Sequence, residues 1–343
     1  MRRFGTFVLS FTLAAVLIYV CSRGTDPVAV VNSLSQAHPG YVALAIVVGL
    51  LSFTGRALRW RSLLSHLKRD IPFGSLLSCT IMGFMLSYVV FFIPKVGELA
   101  RPILLARRER MSKGSVIATV AVARMMDFLT VLLFFSIYLI GFSSRLPQED
   151  PESWMVQFRK HGIFLGGAIL LAVLALYATV LSRNRIFMIL EARTRGGSLG
   201  RKVVDFLHSM VRGFEVLKSW RALVVGMLYT LFTWSLIDLS ILAGLKAFEI
   251  HMDFVDVFLL IAFLAAGIAV PTPAGLGSYQ ASGLVCLVTF FGLPREEALA
   301  AVWVQWCVAV IPVVLVGAVL IWKEGLSMGQ LGRMLQSERE TSA

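Results

Sequence analysis

Residues 74–106 read GSLLSCTIMGFMLSYVVFFIPKVGELARPILLA. The stretch is apolar enough to enter a bilayer, yet it does not divide into two crossings. As continuous helix its 33 residues would extend about 50 Å, short of the roughly 60 Å that two passages through a hydrocarbon layer about 30 Å thick require. Pro94 and Gly97 also interrupt it. Basic residues crowd both flanks: Arg59, Arg61, Lys68 and Arg69 before it, and Arg107, Arg108, Arg110 and Lys113 after it. By the positive-inside rule both flanks are cytoplasmic. The segment therefore reads as a re-entrant hairpin open to the cytoplasm.

The rest of the chain agrees with a membrane setting. It has 343 residues, 57% hydrophobic and 15% charged, with mean hydropathy +0.80. Soluble domains carry nearer 25% charged residues. An ordinary soluble protein, a disordered chain, a collagen, a coiled coil and a disulfide scaffold are all excluded on these figures. Six stretches are long and apolar enough to cross by themselves: 4–22, 41–60, 115–142, 161–182, 222–243 and 298–322. The first begins Met1-Arg2-Arg3 like a signal peptide. Its apolar run is long and no small-x-small cleavage site follows, so it reads as a retained helix.

A second segment resists division. Phe254 to Val270 is apolar, Pro271-Thr-Pro-Ala-Gly-Leu-Gly-Ser-Tyr-Gln280 is turn-like, and Leu284 to Leu293 spans only about 15 Å as helix. It follows a helix that leaves the cytoplasm, so residues 254–293 read as a hairpin open to the outside. The predicted fold is an all-α polytopic membrane domain over 1–325. It has six full spans, two broken hairpins of opposite orientation in an inverted-repeat-like arrangement, and cytoplasmic termini. Residues 183–221 form a cytoplasmic segment in which nine Lys/Arg face three acids, and 326–343 are a polar tail. The net charge of +12 is then mostly an orientation signal rather than a nucleic-acid footprint. Amphipathic periodicity appears at 27–37 outside and at 199–218 inside, the latter suited to an interfacial helix on anionic lipid or a linker packed on the bundle.

Ionisable residues within membrane segments are rare and are functional candidates by default. One group is Lys95-Val-Gly97-Glu98-Leu-Ala-Arg101, where Glu98 and Arg101 share a helical face. The start of the short arm at Gly97 would offer backbone N–H groups to an anion. Arg124-Met-Met-Asp127 forms a second group, one turn in spacing within a long apolar helix. Asp238, one turn after Trp234, is the third. Arginines and a lysine beside glycine-rich breaks suit a phosphate-bearing group. Arg101, Arg124, Glu98, Asp127, Lys95 and Asp238 are the substrate-binding candidates. Pro94, Gly97, Pro271, Pro273, Gly275, Gly277 and Gln280 are the break or hinge candidates, since non-helical backbone at membrane depth is tolerated only where it is buried or lines a polar cavity.

Other chemistry is not indicated. The five histidines are scattered, and the four cysteines sit in apolar segments as small hydrophobes. No metal, cofactor or nucleotide-binding motif is found. The acidic loop Gln148-Glu-Asp-Pro-Glu152 reads as solvated.

In order and spacing, Arg56-Ala-Leu-Arg59-Trp60-Arg-Ser-Leu-Leu64, Pro94-x-x-Gly97-Glu98-x-x-Arg101, Ala123-Arg124-x-x-Asp127 and Pro271-Thr-Pro-Ala-Gly-Leu-Gly277-Ser-Tyr-Gln280 resemble the lysylphosphatidylglycerol synthase transmembrane (flippase-like) family over residues 5–325. The resemblance implies movement of a lipid headgroup between leaflets through a cavity built by two re-entrant hairpins. Many relatives have Glu where this chain has Ala123, and Gly or Glu where it has Ala274 and Gln280; these departures weaken a proton-coupling scheme that needs a carboxylate there. About 20 residues follow the last helix, so the family's aminoacyl-transferase domain is not expected. The expected role is a flippase or scramblase in a bacterial or archaeal cytoplasmic membrane. Its expected partners are a lipid substrate and envelope-biogenesis enzymes; no oligomeric state is assigned. An intramembrane glycosyltransferase-like enzyme and a non-transporting scaffold are the alternatives.

Overall fold

A computed structural model describes residues 2–90, 96–142 and 219–325, together with Phe164 and Leu171. Among the described residues the regular structure is helical, with no strand. The predicted span 161–182 apart from Phe164 and Leu171, residues 183–218 of the cytoplasmic segment, the loop 148–152, the tail 326–343, and Pro94 and Lys95 lie outside this set.

Four helices are long and apolar enough to cross a membrane: α3 (Pro39–Leu64), α6 (Lys113–Gly141), α7 (Trp220–Lys246) and α10 (Arg295–Lys323). A fifth span is made if Leu9–Ser22 of α1 (Arg2–Ser22) is joined to α2 (Pro27–Gln36), the two being bent by 87° at the break. The bend has a local cause. Gly24 adopts φ 79°, and Asp26 caps α2 by accepting a hydrogen bond from the Val28 amide at 2.9 Å, with Pro27 in the first turn. A multi-pass membrane protein is the fold class these elements define.

The first hairpin is α4 (Phe73–Val89) and α5 (Val96–Arg108). Gly97 packs on Gly83 and Ser87, and Arg101 on Gly83, while the Arg108 guanidinium donates to the Ser78 hydroxyl at 3.1 Å. Rising numbers on one arm meet falling numbers on the other, so the arms are antiparallel. Seventeen residues of α4 extend only about 25 Å. Gly97, expected at the start of the short arm, is the second residue of α5, and there it packs closely on α4. A Cβ there would collide with the Gly83 carbonyl and the Ser87 hydroxyl.

The second hairpin is α8 (Asp256–Ala269), a 3-10 turn (Pro273–Gly275), α9 (Ser278–Val285) and a π turn (Cys286–Phe290). Gly267 packs on Ser278 and Ser282, and Gly283 on Leu264, again antiparallel. The returning arm starts at Ser278, six residues before the expected Leu284. Gln280 is therefore helical rather than part of the break. Its Oε1 accepts from the Gly277 amide at 2.8 Å, which starts the helix where a side-chain cap is missing. Between the arms Ala274, Gly275 and Gly277 have positive φ of 51°, 73° and 80°. Gly277 also sits so close to the Ala14 carbonyl of α1 that a Cβ would not fit.

Hydrogen bonds sort the helix ends into two groups. At one end the His38 amide donates to the Ala247 carbonyl at 2.8 Å, and Arg295 donates to the Val20 and Cys21 carbonyls at 3.2 Å each, joining the starts of α3 and α10 to the ends of α7 and α1. At the other end Lys68 pairs with Glu109 at 2.6 Å and Arg108 with Glu324 at 2.8 Å, joining the ends of α3, α5 and α10. The first hairpin has its base at this second, basic end. The base of the second hairpin follows α7 and precedes α10, so it lies at the opposite end. Their tips converge, since Tyr88 and Tyr279 line one cleft.

Close helix approach comes from small residues, as expected where lipid offers no hydrophobic drive for association. Gly55 lies against Thr233 and Gly49 against Ser240, whose hydroxyl donates to the Ala45 carbonyl at 2.7 Å, so α3 and α7 pack intimately. Gly317 of α10 lies against Met85 of α4. Gly97→Ala is expected to destabilise the hairpin by about 1–3 kcal/mol through overpacking, read as a lower Tm of the detergent-purified protein. Gly74→Ala, where a Cβ meets nothing within 4 Å, should leave Tm unchanged.

Candidate functional site: a buried arginine cluster on an apolar cleft

Asp127 is the centre of the site. It projects from α6, 7% exposed, and its carboxylate takes a two-pronged contact from Arg59 of α3, the Nη2 to Oδ2 bond being 3.1 Å. The Trp234 indole of α7 donates to Oδ1 at 3.1 Å. Arg124, one turn earlier on α6, lies 3.5 Å from Oδ2, and Arg56 of α3 lies 4.0 Å from it. Arg59 also donates to the Thr230 hydroxyl at 3.3 Å. Three helices are thus tied to one carboxylate. The planar fork of arginine matches the two carboxylate oxygens, a geometry that lysine does not supply.

The first hairpin adds the remaining charges. Glu98 of α5 pairs with Arg124, Oε1 to Nε 3.2 Å. Arg101, 4% exposed, lies 5.0 Å over the Trp60 ring, and that indole is held by its bond to the Thr119 hydroxyl at 3.1 Å. Among the described residues Arg101 makes no ion pair and no hydrogen bond. Phe84 of α4 faces both Arg56 at 4.9 Å and Arg124 at 5.5 Å. Among the described residues four arginines, 56, 59, 101 and 124, meet two carboxylates, Glu98 and Asp127. Arg59 and Arg101 are buried and the Arg56 side chain is 11% exposed, whereas Arg124 and Glu98 are 35% and 39% exposed. Desolvated charge without a counter-charge is expensive, so the buried arginines favour an anion.

Through Arg56 the cluster borders a cleft of about 190 Å³. Arg56, Phe53, Phe84, Tyr88 and Trp234 line its charged part, and Leu50, Ile237, Ile261, Leu264, Ile268, Val308 and Val313 line the rest. The lining is mainly apolar, with Arg56 as its charged member and Ser52, Ser240, Tyr279 and Gln305 as further polar members. A molecule with an anionic head and a hydrocarbon body has the complementary character.

The sequence candidates divide accordingly. Arg101, Arg124, Glu98 and Asp127 come together. Asp238 does not join them: it is 0% exposed, and neither carboxylate oxygen has a hydrogen-bond partner. It shares a helix face with Leu231, Trp234, Ile241 and Leu245, which pack in the apolar cluster with Phe134 and Phe258. Pro271, Pro273, Gly275 and Gly277 belong to the second hairpin's turn, where the Trp306 indole donates to the Ala274 carbonyl at 2.9 Å. Arg59 was expected among the cytoplasmic basic residues; instead it is 1% exposed and holds Asp127. The available signal was its spacing from Arg56, which puts both on one helix face.

The fold and this cluster define a polytopic membrane protein with a charged intramembrane cleft. Residues 7–317 match the family described as lysylphosphatidylglycerol synthase TM region, and the chain belongs to that family. It is 23% identical over 303 residues to the UPF0104 membrane protein MJ1595 of Methanocaldococcus jannaschii, covering 86% of this chain and 88% of that protein. It is also 23% identical over 321 residues to glycosyltransferase AglD of Haloferax volcanii, covering 87% of this chain and 50% of that one. The chain thus spans half the length of the second relative.

Removing one partner of a buried pair leaves a stranded charge at about 3–5 kcal/mol. Asp127→Ala should therefore give a protein that is largely unstable in detergent. The double variant Arg59→Met with Asp127→Leu removes both charges and is expected to recover most of the Tm. Equal Tm values for the single and double variants would contradict Asp127 as the tie between α3 and α6.

Proposed function

We propose that the protein moves a phosphate-bearing lipid headgroup across the cytoplasmic membrane of a bacterium or archaeon, as a flippase or scramblase. The observation that carries this reading is the excess of arginine over carboxylate among the described residues, with Arg56 of that cluster lining a largely apolar cleft. Arg56, Arg101 and Arg124 would hold the phosphate, Asp127 and Glu98 would set their geometry, and the aliphatic wall would receive the hydrocarbon chain. The basic end of the bundle, with Lys68, Arg69, Arg107, Arg108, Arg110 and Lys113, faces the cytoplasm on this reading. The first hairpin is then re-entrant from the cytoplasm and the second from outside, with six crossings and both termini inside. Family membership supports the lipid substrate. A bundle in which two oppositely based hairpins meet at a cleft suits alternating access, each hairpin bounding the site from one side.

A lipid-modifying enzyme is a second reading, favoured by the name of the Haloferax relative. It differs in outcome, because modification leaves lipid distribution between leaflets unchanged. The test is reconstitution of purified protein in liposomes with tail-fluorescent lipids scored by dithionite accessibility, with a proton or sodium gradient supplied in parallel. Enhanced crossing is expected, reduced at least about tenfold by Arg124→Gln in protein whose Tm shows it folded. No enhanced crossing of any lipid would overturn the proposal.

A further inference from the structure

Hydrogen-bonding groups from several helices line the cleft, and most of them are already committed. Ser52 donates to the Gly49 carbonyl at 2.6 Å, Ser240 to the Ala45 carbonyl at 2.7 Å, and the Gln305 amide to the Ile241 carbonyl at 2.6 Å. The Trp234 indole is spent on Asp127 at 3.1 Å. Two phenols remain. Among the described residues neither the Tyr88 nor the Tyr279 hydroxyl has a hydrogen-bond partner, although both side chains line the cleft and Tyr279 is only 6% exposed. A buried tyrosine normally finds a partner for its hydroxyl, because a phenol removed from water without an acceptor forfeits its hydration. Two such hydroxyls in one cleft point to an acceptor that enters it.

Where these hydroxyls sit matters as much as their freedom. Tyr88 is the last residue but one of α4, in the first hairpin, and Tyr279 is the second residue of α9, in the second. The two hairpins have their bases at opposite ends of the bundle, so the phenols are tip residues of opposite origin. The tips meet: α4 packs on the 3-10 turn at Pro273–Gly275, and Tyr88 lies within electrostatic reach of both Tyr279 and Arg56. Apolar neighbours fix each ring, Tyr88 packing with Phe53, Ile81 and Val313, and Tyr279 belonging to the cluster that holds Leu264 and Leu284. Arg56 is the charged group at hand; its Nε has no acceptor and its nearest carboxylate oxygen is 4.0 Å away. A single carbonyl or hydroxyl oxygen offers two lone pairs, whereas a phosphate presents several charged oxygens, enough for two phenols and a guanidinium together.

On the reading of the cleft as a lipid headgroup site, we propose that the headgroup phosphate is bound between the two hairpin tips, accepting hydrogen bonds from the hydroxyls of Tyr88 and Tyr279 beside the Arg56 guanidinium. The tyrosines are headgroup-binding residues, one from each hairpin. An occupied cleft then ties together two elements whose bases lie at opposite ends of the bundle, whereas an empty one leaves the tips joined by packing alone.

The test compares the full wild-type chain with Tyr88→Phe, Tyr279→Phe and the double variant, since phenylalanine keeps each ring and removes only the hydroxyl. One readout is crossing of tail-fluorescent phosphatidylglycerol in liposomes. The other is the rise in Tm of the detergent-purified protein on adding dioctanoyl-phosphatidylglycerol, dioctanoylglycerol or glycerol phosphate. Each single variant should move phosphatidylglycerol about tenfold more slowly, the scale of a hydrogen bond to a charged group. It should also lose most of the Tm rise given by phosphatidylglycerol and keep whatever rise the phosphate-free lipid gives. Because both hydroxyls hold one group, the loss in the double variant should differ from the product of the single losses by at least about twofold; agreement with the product would overturn the shared phosphate. An equal loss of response to dioctanoylglycerol would make the tyrosines part of the apolar wall, and wild-type crossing and Tm rise in either variant would show that its hydroxyl binds nothing. Both results overturn the proposal and leave lipid transport standing. Glycerol phosphate raising Tm as much as phosphatidylglycerol would overturn a lipid as the occupant. Neither crossing nor a Tm rise in the wild-type protein would remove the headgroup reading itself.

Discussion

A carboxylate in a bilayer core is tolerable only when its charge is answered, and Asp127 is answered from three helices. Arg59 binds it with both prongs of the guanidinium, Trp234 donates its indole hydrogen, and Arg124 comes from one turn away on the same helix. The desolvation penalty of these groups makes the arrangement strict: α3, α6 and α7 have to meet at this depth and at these rotations, or charges are stranded. Small residues on α3 and α7 make the approach possible, with Gly55 against Thr233 and Gly49 against Ser240. The cleft exists between these helices because a common point fixes them.

The hairpins complete the site in different ways. The first contributes chemistry. Gly97 and Gly83 bring α5 against α4 so closely that Glu98 and Arg101 face inward, where Arg124 and Trp60 receive them. The second contributes shape. Its left-handed residues Ala274, Gly275 and Gly277 turn the chain within a few residues, and the returning helix places Tyr279 on the cleft wall. Broken helices at depth demand that the freed backbone groups find partners. Here the Gln280 side chain and the Trp306 indole supply two of them.

Much of this was legible in the chain itself. Length and apolarity marked four spans, α3, α6, α7 and α10, and the failure of 74–106 and 254–293 to divide marked both hairpins. The basic residues that end up together at one end of the bundle were grouped by charge alone. Intramembrane charge pointed to Glu98, Arg101, Arg124 and Asp127. Arg59 was missed because it adjoins a run of loop cations, and composition does not distinguish a helix's last buried turn from the loop after it. Gln280 was read with the break because Gly-Leu-Gly-Ser is turn-like, whereas its side chain starts the helix through a contact three residues back.

The sequence by itself determined that the chain lies in a membrane, where it breaks, and which side chains are too costly to be there without purpose. Those follow from transfer free energy and helix length, which are local properties. Only the tertiary structure decided which charges answer each other. Asp127 is shared by arginines up to 71 residues away, Arg101 is left with an aromatic face, and Asp238, equally conspicuous in the chain, stands apart in an apolar cluster. The net charge of a site depends on three-dimensional pairing. Which of the described arginines has a matched carboxylate appears only once the helices have packed.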